Sequence, residues 1–278
     1  MMKPKNIDLK TVESFGDEWG RFDQTGMSDE EAEKVFNGYF SIFDWNALPD
    51  QPIGFDMGCG SGRWAKWVAP KVGQLHCIDP SSALEVAKKI LPNHKNIIFH
   101  HASVDNVALP DASQDFGYSL GVLHHIPDTA EAIKSCSRLL KPNAPLLLYL
   151  YYAFDNRNIL FKLIWKASNF IRNLIHPLPP GVKHSITDLI AIFIYFPLAK
   201  LSKILKIIGI STNSIPLAFY QNHSLYTMRT DARDRFGTPL EQRFSQSQIM
   251  LMMEDAGFHN IEFSPEEPYW CVIGYKDK

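Results

Sequence analysis

A chain of 278 residues is long enough to bury one large core, or one core with a sizeable insertion. Its hydrophobic content of 45% and charged content of 21% are those of an ordinary soluble globule, and a net charge of −2 offers no general attraction to nucleic acid. No apolar run reaches the ~18 residues of a spanning helix. At the N-terminus, Met1-Met2-Lys3-Pro4-Lys5-Asn6 is followed by Asp8, Glu13 and Asp17 with no apolar stretch, so no signal peptide is expected.

In chain order, residues 15–22 form an aromatic cluster containing Trp19 and Phe22 ahead of any strand. Ser28 with Asp29, Glu30 and Glu31 reads as an N-cap and an acidic first turn, and Ala32, Val35, Phe36, Tyr39, Phe40 and Phe43 continue a helix at its spacing. Residues 53–64 then read as strand, tight turn and helix: an apolar run carries Asp56, and Gly58, Gly60 and Gly62 alternate with small residues. Glycine serves where the backbone takes positive φ or approaches a ligand closely, and the N–H groups that open a helix favour an electron-rich ligand group. A dinucleotide site would need G-x-G-x-x-G/A, but Arg63 stands where that pattern has a small residue. Asp56 has no role against a pyrophosphate; it suits an ammonium.

Gln74 to Asp79 is a second buried strand ending in an acid, 79 − 58 = 21 residues beyond the first glycine. A doubly wound fold places an acid there to accept hydrogen bonds from ribose hydroxyls. Pro80 and Ser81 follow, with Ser81 capping a helix from Leu84 to Leu91. Residues 97–101 and 114–120 read as the third and fourth strands. Asp128 starts a helix through Leu140, the turn 141–144 stops it, and 145–152 is an apolar fifth strand of the kind covered on both faces. The rhythm lapses at 153 and resumes at Ser245, with a helix from Gln248 to Ala256 and a closing hairpin over 258–263 and 269–275. The pattern predicts an α/β fold with a doubly wound, mostly parallel seven-stranded sheet and ligands at the carboxyl ends of the strands. Cys59, Cys77, Cys136 and Cys271 are scattered without a C-x-x-C pair, which predicts buried free thiols in a reducing cytoplasm and no metal site.

Asp56-x-Gly58-x-Gly60-x-Gly62 resembles motif I of the class I S-adenosyl-L-methionine (SAM) dependent methyltransferases. The stretch 114–128, with Leu123-His124-His125-Ile126-Pro127-Asp128, resembles that family's fourth strand and following loop, F-D-x-x-x-x-x-x-L-H-H-x-x-D. The resemblance covers the chain outside the insertion. It implies SAM as cofactor and S-adenosyl-L-homocysteine as product. The methionine part would lie on Asp56, Gly58, Cys59, Gly60, Gly62 and Arg63. Ribose would fall to Asp79, with Pro80 and Ser81 beside it. Ser103 and Val104 match the adenine stretch, Leu120 ends the fourth strand, and Trp19 or Phe22 would cover the cofactor. The family usually has an acid at the position of Ser103; a hydroxyl accepts a hydrogen bond more weakly, and Asp105 is the alternative.

The expected organisation is a helical segment over 1–44, a core over 45–152 and 246–278, and a helical lid inserted after the fifth strand over 153–245. From 151 to 225 eight Lys/Arg face two acids, Asp155 and Asp188, a balance of +6. Two apolar helices are predicted, Asn158–Leu174 and Ile186–Ile208, the second interrupted by Pro197 and bearing Lys200, Lys203 and Lys206. A basic stripe beside an apolar face fits an interfacial helix, giving peripheral membrane contact. A helical cap packed on the core and a homodimer interface are the other two readings. Each points to a small or lipophilic acceptor rather than nucleic acid, and to a cytoplasmic protein that is either free or membrane-associated. The segment 219–239 is polar, aromatic and rich in paired charge, and reads as a loop that holds substrate through His223, Tyr220 and Tyr226, while its Asp231, Arg233, Asp234 and Arg235 read as salt bridges that pin the lid.

Methyl transfer from a sulfonium asks the protein mainly to align the groups and exclude water, while an oxygen acceptor also needs a proton removed. His125, past the fourth strand, is the expected base, helped by His223 and Tyr226; a packed structural role for His124 or His125 is the competing reading. C-methylation of a quinone-like or lipid-linked sugar acceptor and a non-catalytic SAM-binding protein are the alternatives.

Overall fold

The strands form where the apolar runs predict them. β1 (Ile53–Met57), β2 (Gln74–Ile78), β3 (Ile97–His100), β4 (Phe116–Leu120) and β5 (Pro145–Tyr149) pair in parallel in the order β3-β2-β1-β4-β5. β7 (Cys271–Lys276) lies antiparallel to β5, and β6 (Phe258–Phe263) pairs antiparallel with β7 at the sheet edge. The computed structural model describes residues 6–154, 157–212, 215–268 and 270–278. The N-terminal residues 1–5, Asp155 of the insertion and Tyr269 of the expected last strand lie outside them.

Side chains alternate across the strands, so the sheet feeds two cores, one on each face. On one face Phe55, Met57, Leu146 and Leu148 pack with Ile133 and Leu139 of α5 (Thr129–Leu139) and Ile249 and Met253 of α10 (Gln246–Asp255). On the other, Leu75, Cys77, Phe116, Tyr118 and Leu147 pack with Phe36, Val68 and Leu84. Those three come from α2 (Asp29–Tyr39), α3 (Ala65–Val68) and α4 (Ala83–Ile90). Helices cover both faces of a largely parallel sheet, which is the doubly wound arrangement the alternation predicts. The caps are local: Asp128 accepts the Glu131 N–H at the start of α5, and Ser245 with Gln248 forms a capping box on α10.

The chain divides into two compact units, one of residues 1–23, 32–153 and 240–278, the other of 24–31 and 154–239. The N-terminal stretch is thus shared out: α1 (Leu9–Arg21) belongs to the sheet unit, while 24–31 belongs with the insertion. Within the second unit the Tyr226 hydroxyl accepts the Gln24 N–H (2.8 Å), and Glu31 accepts the Ser224 N–H (2.9 Å) and the Thr227 hydroxyl (2.8 Å). These ties join segments about two hundred positions apart, which no local pattern encodes.

The insertion is helical: α6 (Ile159–Ile175), α7 (Pro180–Ile190), a π-turn (Ala191–Tyr195), α8 (Phe196–Ile207) and α9 (Leu225–Gly237). Its core holds Ile175, Ala191, Tyr195, Ala199, Met228, Ala232 and Phe236. The π-turn lets the helix continue into Pro197, because a widened turn removes the carbonyl clash that a proline imposes. The expected substrate loop over 219–239 is instead mostly α9. Ser224 caps it by accepting the Thr227 N–H. Its polar residues bond inward: Asp231 accepts the Tyr220 hydroxyl (2.8 Å), and Arg229 forks onto both oxygens of Asp188 (2.9 Å each).

Candidate active site

The centre of the first unit is the turn after β1. Gly58, Gly60 and Gly62 have φ of +81°, +53° and +81°, a backbone that other L-residues enter only with strain. Space is also exhausted, since a Cβ on Gly58 would lie 2.4 Å from Val122 Cγ1 and one on Gly62 2.6 Å from Leu91 Cδ1. The N–H groups of Gly58 and Cys59 donate to Ile78 O at the end of β2 (2.8 and 3.1 Å), and that of Gly60 donates to Asp79 Oδ2 (2.9 Å). The helix after the turn is a single turn, α3, shorter than the amphipathic segment expected, so its dipole adds little here.

Two carboxylates stand at the strand tips. Asp56 in β1 is 1% exposed; its Oδ2 accepts the Tyr118 hydroxyl (3.0 Å) and its Oδ1 is buried with no hydrogen-bond partner. Burial pushes its pKa up to about 8, against the Tyr118 bond and with the Asp79 charge adding to the rise. Asp79 Oδ1 accepts both the N–H and the hydroxyl of Ser81 (2.8 and 2.6 Å). Burial raises the Asp79 carboxyl as well, outweighing the hydrogen bonds from Ser81 and Gly60. Ser81 Oγ in turn accepts the Ala83 N–H at the start of α4 (3.2 Å), but the N-cap is Ser82, which makes no side-chain capping bond, not Ser81 as expected. Pro80 and Ser81 line a cleft of about 480 Å³ with Val12, Glu13, Ser82, Glu85 and His101.

The other expected cofactor residues fall around this turn with differing surroundings. Trp19 on α1 places its indole Nε1 3.1 Å from where a Gly60 Cβ would be, while Phe22 is buried. The Arg63 guanidinium stacks on Trp64, 4.4 Å from the ring centroid. The Cys59 thiol is buried, and burial with its Cys77 neighbour pushes it well above the ordinary thiol range. Ser103 donates its hydroxyl to Asp105 and its N–H to Asn106 Oδ1. Val104 and Leu120 are core residues, 3% and 8% exposed. Asp105 also accepts the Asn6 N–H (3.1 Å), and Asn6 exchanges two bonds with the Asp128 backbone.

Beyond β4 a 3₁₀ turn (Leu123–His125) holds both histidines in the buried layer. His125 Nδ1 lies 2.6 Å from Leu240 O, so Nδ1 carries the proton and the ring's lone pair is on Nε2. His124 is fully buried with neither ring nitrogen hydrogen-bonded, and burial first, then His125 and Arg243, holds its pKa well below the usual value. It is the packed histidine of the pair, stacked on Tyr151 at 3.9 Å. His223 and Tyr226 lie in the second unit. The His223 ring stacks on Phe219 (4.6 Å), and Tyr226 is engaged with Gln24.

The structure also builds a track of aromatic rings beside these histidines. A chain of ring contacts runs Trp64, Tyr39, Tyr149, Tyr151, His124, with neighbouring centroids 4.9, 5.0, 5.8 and 3.9 Å apart. Phe15 of α1 meets His125 edge-on at 4.9 Å. The signal was the alternation Tyr149-Leu150-Tyr151, which sets both phenols on one face.

Comparison with known proteins agrees with this geometry. Residues 55–148 match the sequence model of the family described as Methyltransferase domain. A ubiquinone biosynthesis O-methyltransferase of Alkalilimnicola ehrlichii is 32% identical over 106 residues, 37% of this chain and 41% of the relative. One of the same name from Nitrosospira multiformis is 28% identical over 179 residues, 61% of this chain and 71% of the relative. The chain thus spans well under half the length of the first of these relatives. Human N-acetylserotonin methyltransferase, solved in complex with SAM, superimposes with a TM-score of 0.51 at 15% identity, covering 90% of this chain and 57% of that one. Strand order, the glycine turn between two strand-tip acids and the matched stretch from β1 to β5 together give this chain the class I methyltransferase fold, with a methyltransferase-domain match over residues 55–148.

Proposed function

We propose that this protein transfers a methyl group from SAM to an oxygen of a lipophilic, quinone-like acceptor. The observation that carries the reading is the turn Gly58-Gly62 set between the buried carboxyls of Asp56 and Asp79. The residues fit the cofactor: Asp56 Oδ1 is a buried oxygen with no partner, suited to an ammonium. Asp79 Oδ2 accepts one N–H and keeps capacity for a ribose hydroxyl. When bound, SAM supplies an electrophilic methyl on a sulfonium.

The chain's own residues do the rest. Trp19 beside Gly60 and the aromatic run of Tyr39, Tyr149 and Tyr151 provide planar surfaces that exclude water and suit a ring-shaped acceptor. The Leu240 carbonyl holds His125 in the tautomer that can take a proton at Nε2. That these relatives are O-methyltransferases supports oxygen over carbon as the methylated atom. The exposed apolar helices of the second unit suit an acceptor that resides in lipid.

The test is calorimetry with S-adenosyl-L-homocysteine on wild type and Asp79→Ala. A methyl-transfer assay on a hydroxylated quinone-type ring with a short alkyl tail accompanies it. Loss of one hydrogen-bonded carboxylate should weaken binding about tenfold or more. Equal heats for both proteins would remove the cofactor reading; binding without transfer to any hydroxylated ring would remove the enzyme reading.

A further inference from the structure

The second unit leaves an unusual amount of apolar side chain uncovered. On α6, Ile159, Leu160, Leu163, Phe170, Ile171 and Leu174 are exposed, Ile159 by 78%. At ~100° per residue they occupy one arc of the helix, opposite the side on which Arg172 and Ile175 are buried, and Lys162 and Lys166 lie along its flank. The π-turn adds Ile192, Phe193 and Ile194, and α8 adds Leu201, Ile204 and Ile207 beside exposed Lys200, Lys203 and Lys206. Surfaces of this kind mark an interaction site.

Charge says what covers it. Between residues 157 and 230 the sequence has nine Lys/Arg and one acid, Asp188, and both oxygens of Asp188 are held by Arg229. Over the whole second unit eleven Lys/Arg still exceed seven Asp/Glu. Asp188 is the one acid within the α6–α8 stretch that carries the apolar arcs, so positive charge is in excess beside them. A second copy would bring the same charge to both sides of its interface, which like-charge repulsion opposes. Among the described residues no helix is long and apolar enough to cross a membrane. An apolar arc edged with lysines and too short to span is the chemistry of a helix lying in the plane of an anionic bilayer.

We propose that the second unit docks on an anionic lipid surface, with the apolar arcs of α6 to α8 among the acyl chains and the lysines at the headgroups. This goes beyond the transfer reaction, since it would hold for a protein that bound cofactor without turning over.

Vesicle flotation of the full chain tests it, with phosphatidylcholine alone against phosphatidylcholine mixed with phosphatidylglycerol. Wild type should partition into the mixed vesicles at least about tenfold better, and raised salt should reverse much of that gain. Ile159→Ser/Leu163→Ser/Phe170→Ser should lose binding to both kinds of vesicle. Lys200→Gln/Lys203→Gln/Lys206→Gln should lose only the preference for the anionic ones. Both variants alter exposed side chains, and unchanged circular dichroism with unchanged S-adenosyl-L-homocysteine heat will show that they remain folded. Wild type that stays in solution with both vesicles overturns the proposal. So does a dimer in light scattering that the serine variant dissociates while vesicle binding is nil, which would make a second copy the occupant. Either failure leaves the cofactor heats untouched, and so is distinct from failure of the methyltransferase reading.

Discussion

Asp56→Asn in the cofactor-free protein isolates the electrostatics of the site. With its pKa pushed up to about 8 by burial, the Asp56 carboxyl is mostly protonated at neutral pH in the folded state, whereas the unfolded chain ionises it near the ordinary 3.8. Between those values the folded state holds the extra proton, so stability falls as pH rises, with a limiting slope of about 1.4 kcal/mol per pH unit. Integrated from pH ~6 to pH ~8, with the folded group half-titrated at the upper end, this amounts to about 2 kcal/mol. In a domain of this size that is a fall in Tm of roughly 5 °C. The amide cannot ionise, so the variant should lack this increment while sharing every other pH effect with wild type. The assay is thermal unfolding of both proteins across that range, read as the difference of the two curves. Parallel curves would refute the claim that burial holds this carboxyl neutral. The same variant should bind S-adenosyl-L-homocysteine more weakly, since the carboxyl can give up its proton when an ammonium enters beside it and the amide cannot.

Two further outcomes follow from the same geometry. Gly58→Ala should lose about 2 kcal/mol or more of stability, because its Cβ would meet Val122 at 2.4 Å on a residue with φ of +81°; denaturant unfolding at wild-type midpoint would contradict this. His125→Gln should reduce turnover about a hundredfold with cofactor affinity nearly unchanged. If single-turnover kinetics show that loss for His223→Gln instead, the base belongs to the second unit.

Much of this protein was legible in the order of its residues. Apolar runs of five or so residues, three of them ended by an acid or a glycine, marked five parallel strands, and the closing hairpin was equally plain. The spacing of Gly58, Gly60 and Gly62 between Asp56 and Asp79 pointed to a site at the strand tips, because strand and helix periodicity and backbone sterics act within a few residues of themselves.

Only the folded chain decided which groups those residues meet. Asp56 looks like any strand-tip acid in the sequence. Burial strips its water and holds it mostly protonated at neutral pH, against the hydrogen bond from Tyr118, 62 positions away. His124 and His125 are adjacent and chemically identical, yet one is packed on Tyr151 and the other anchored to Leu240, 115 positions on. The helix α9 went unread because its polar residues turn toward partners within the second unit, so it lacks the apolar stripe that a local pattern detects. Residues 24–31 join that unit through Tyr226, Ser224 and Thr227 for the same reason. Periodicity is written locally; partner choice across a hundred residues or more is settled only when the chain packs.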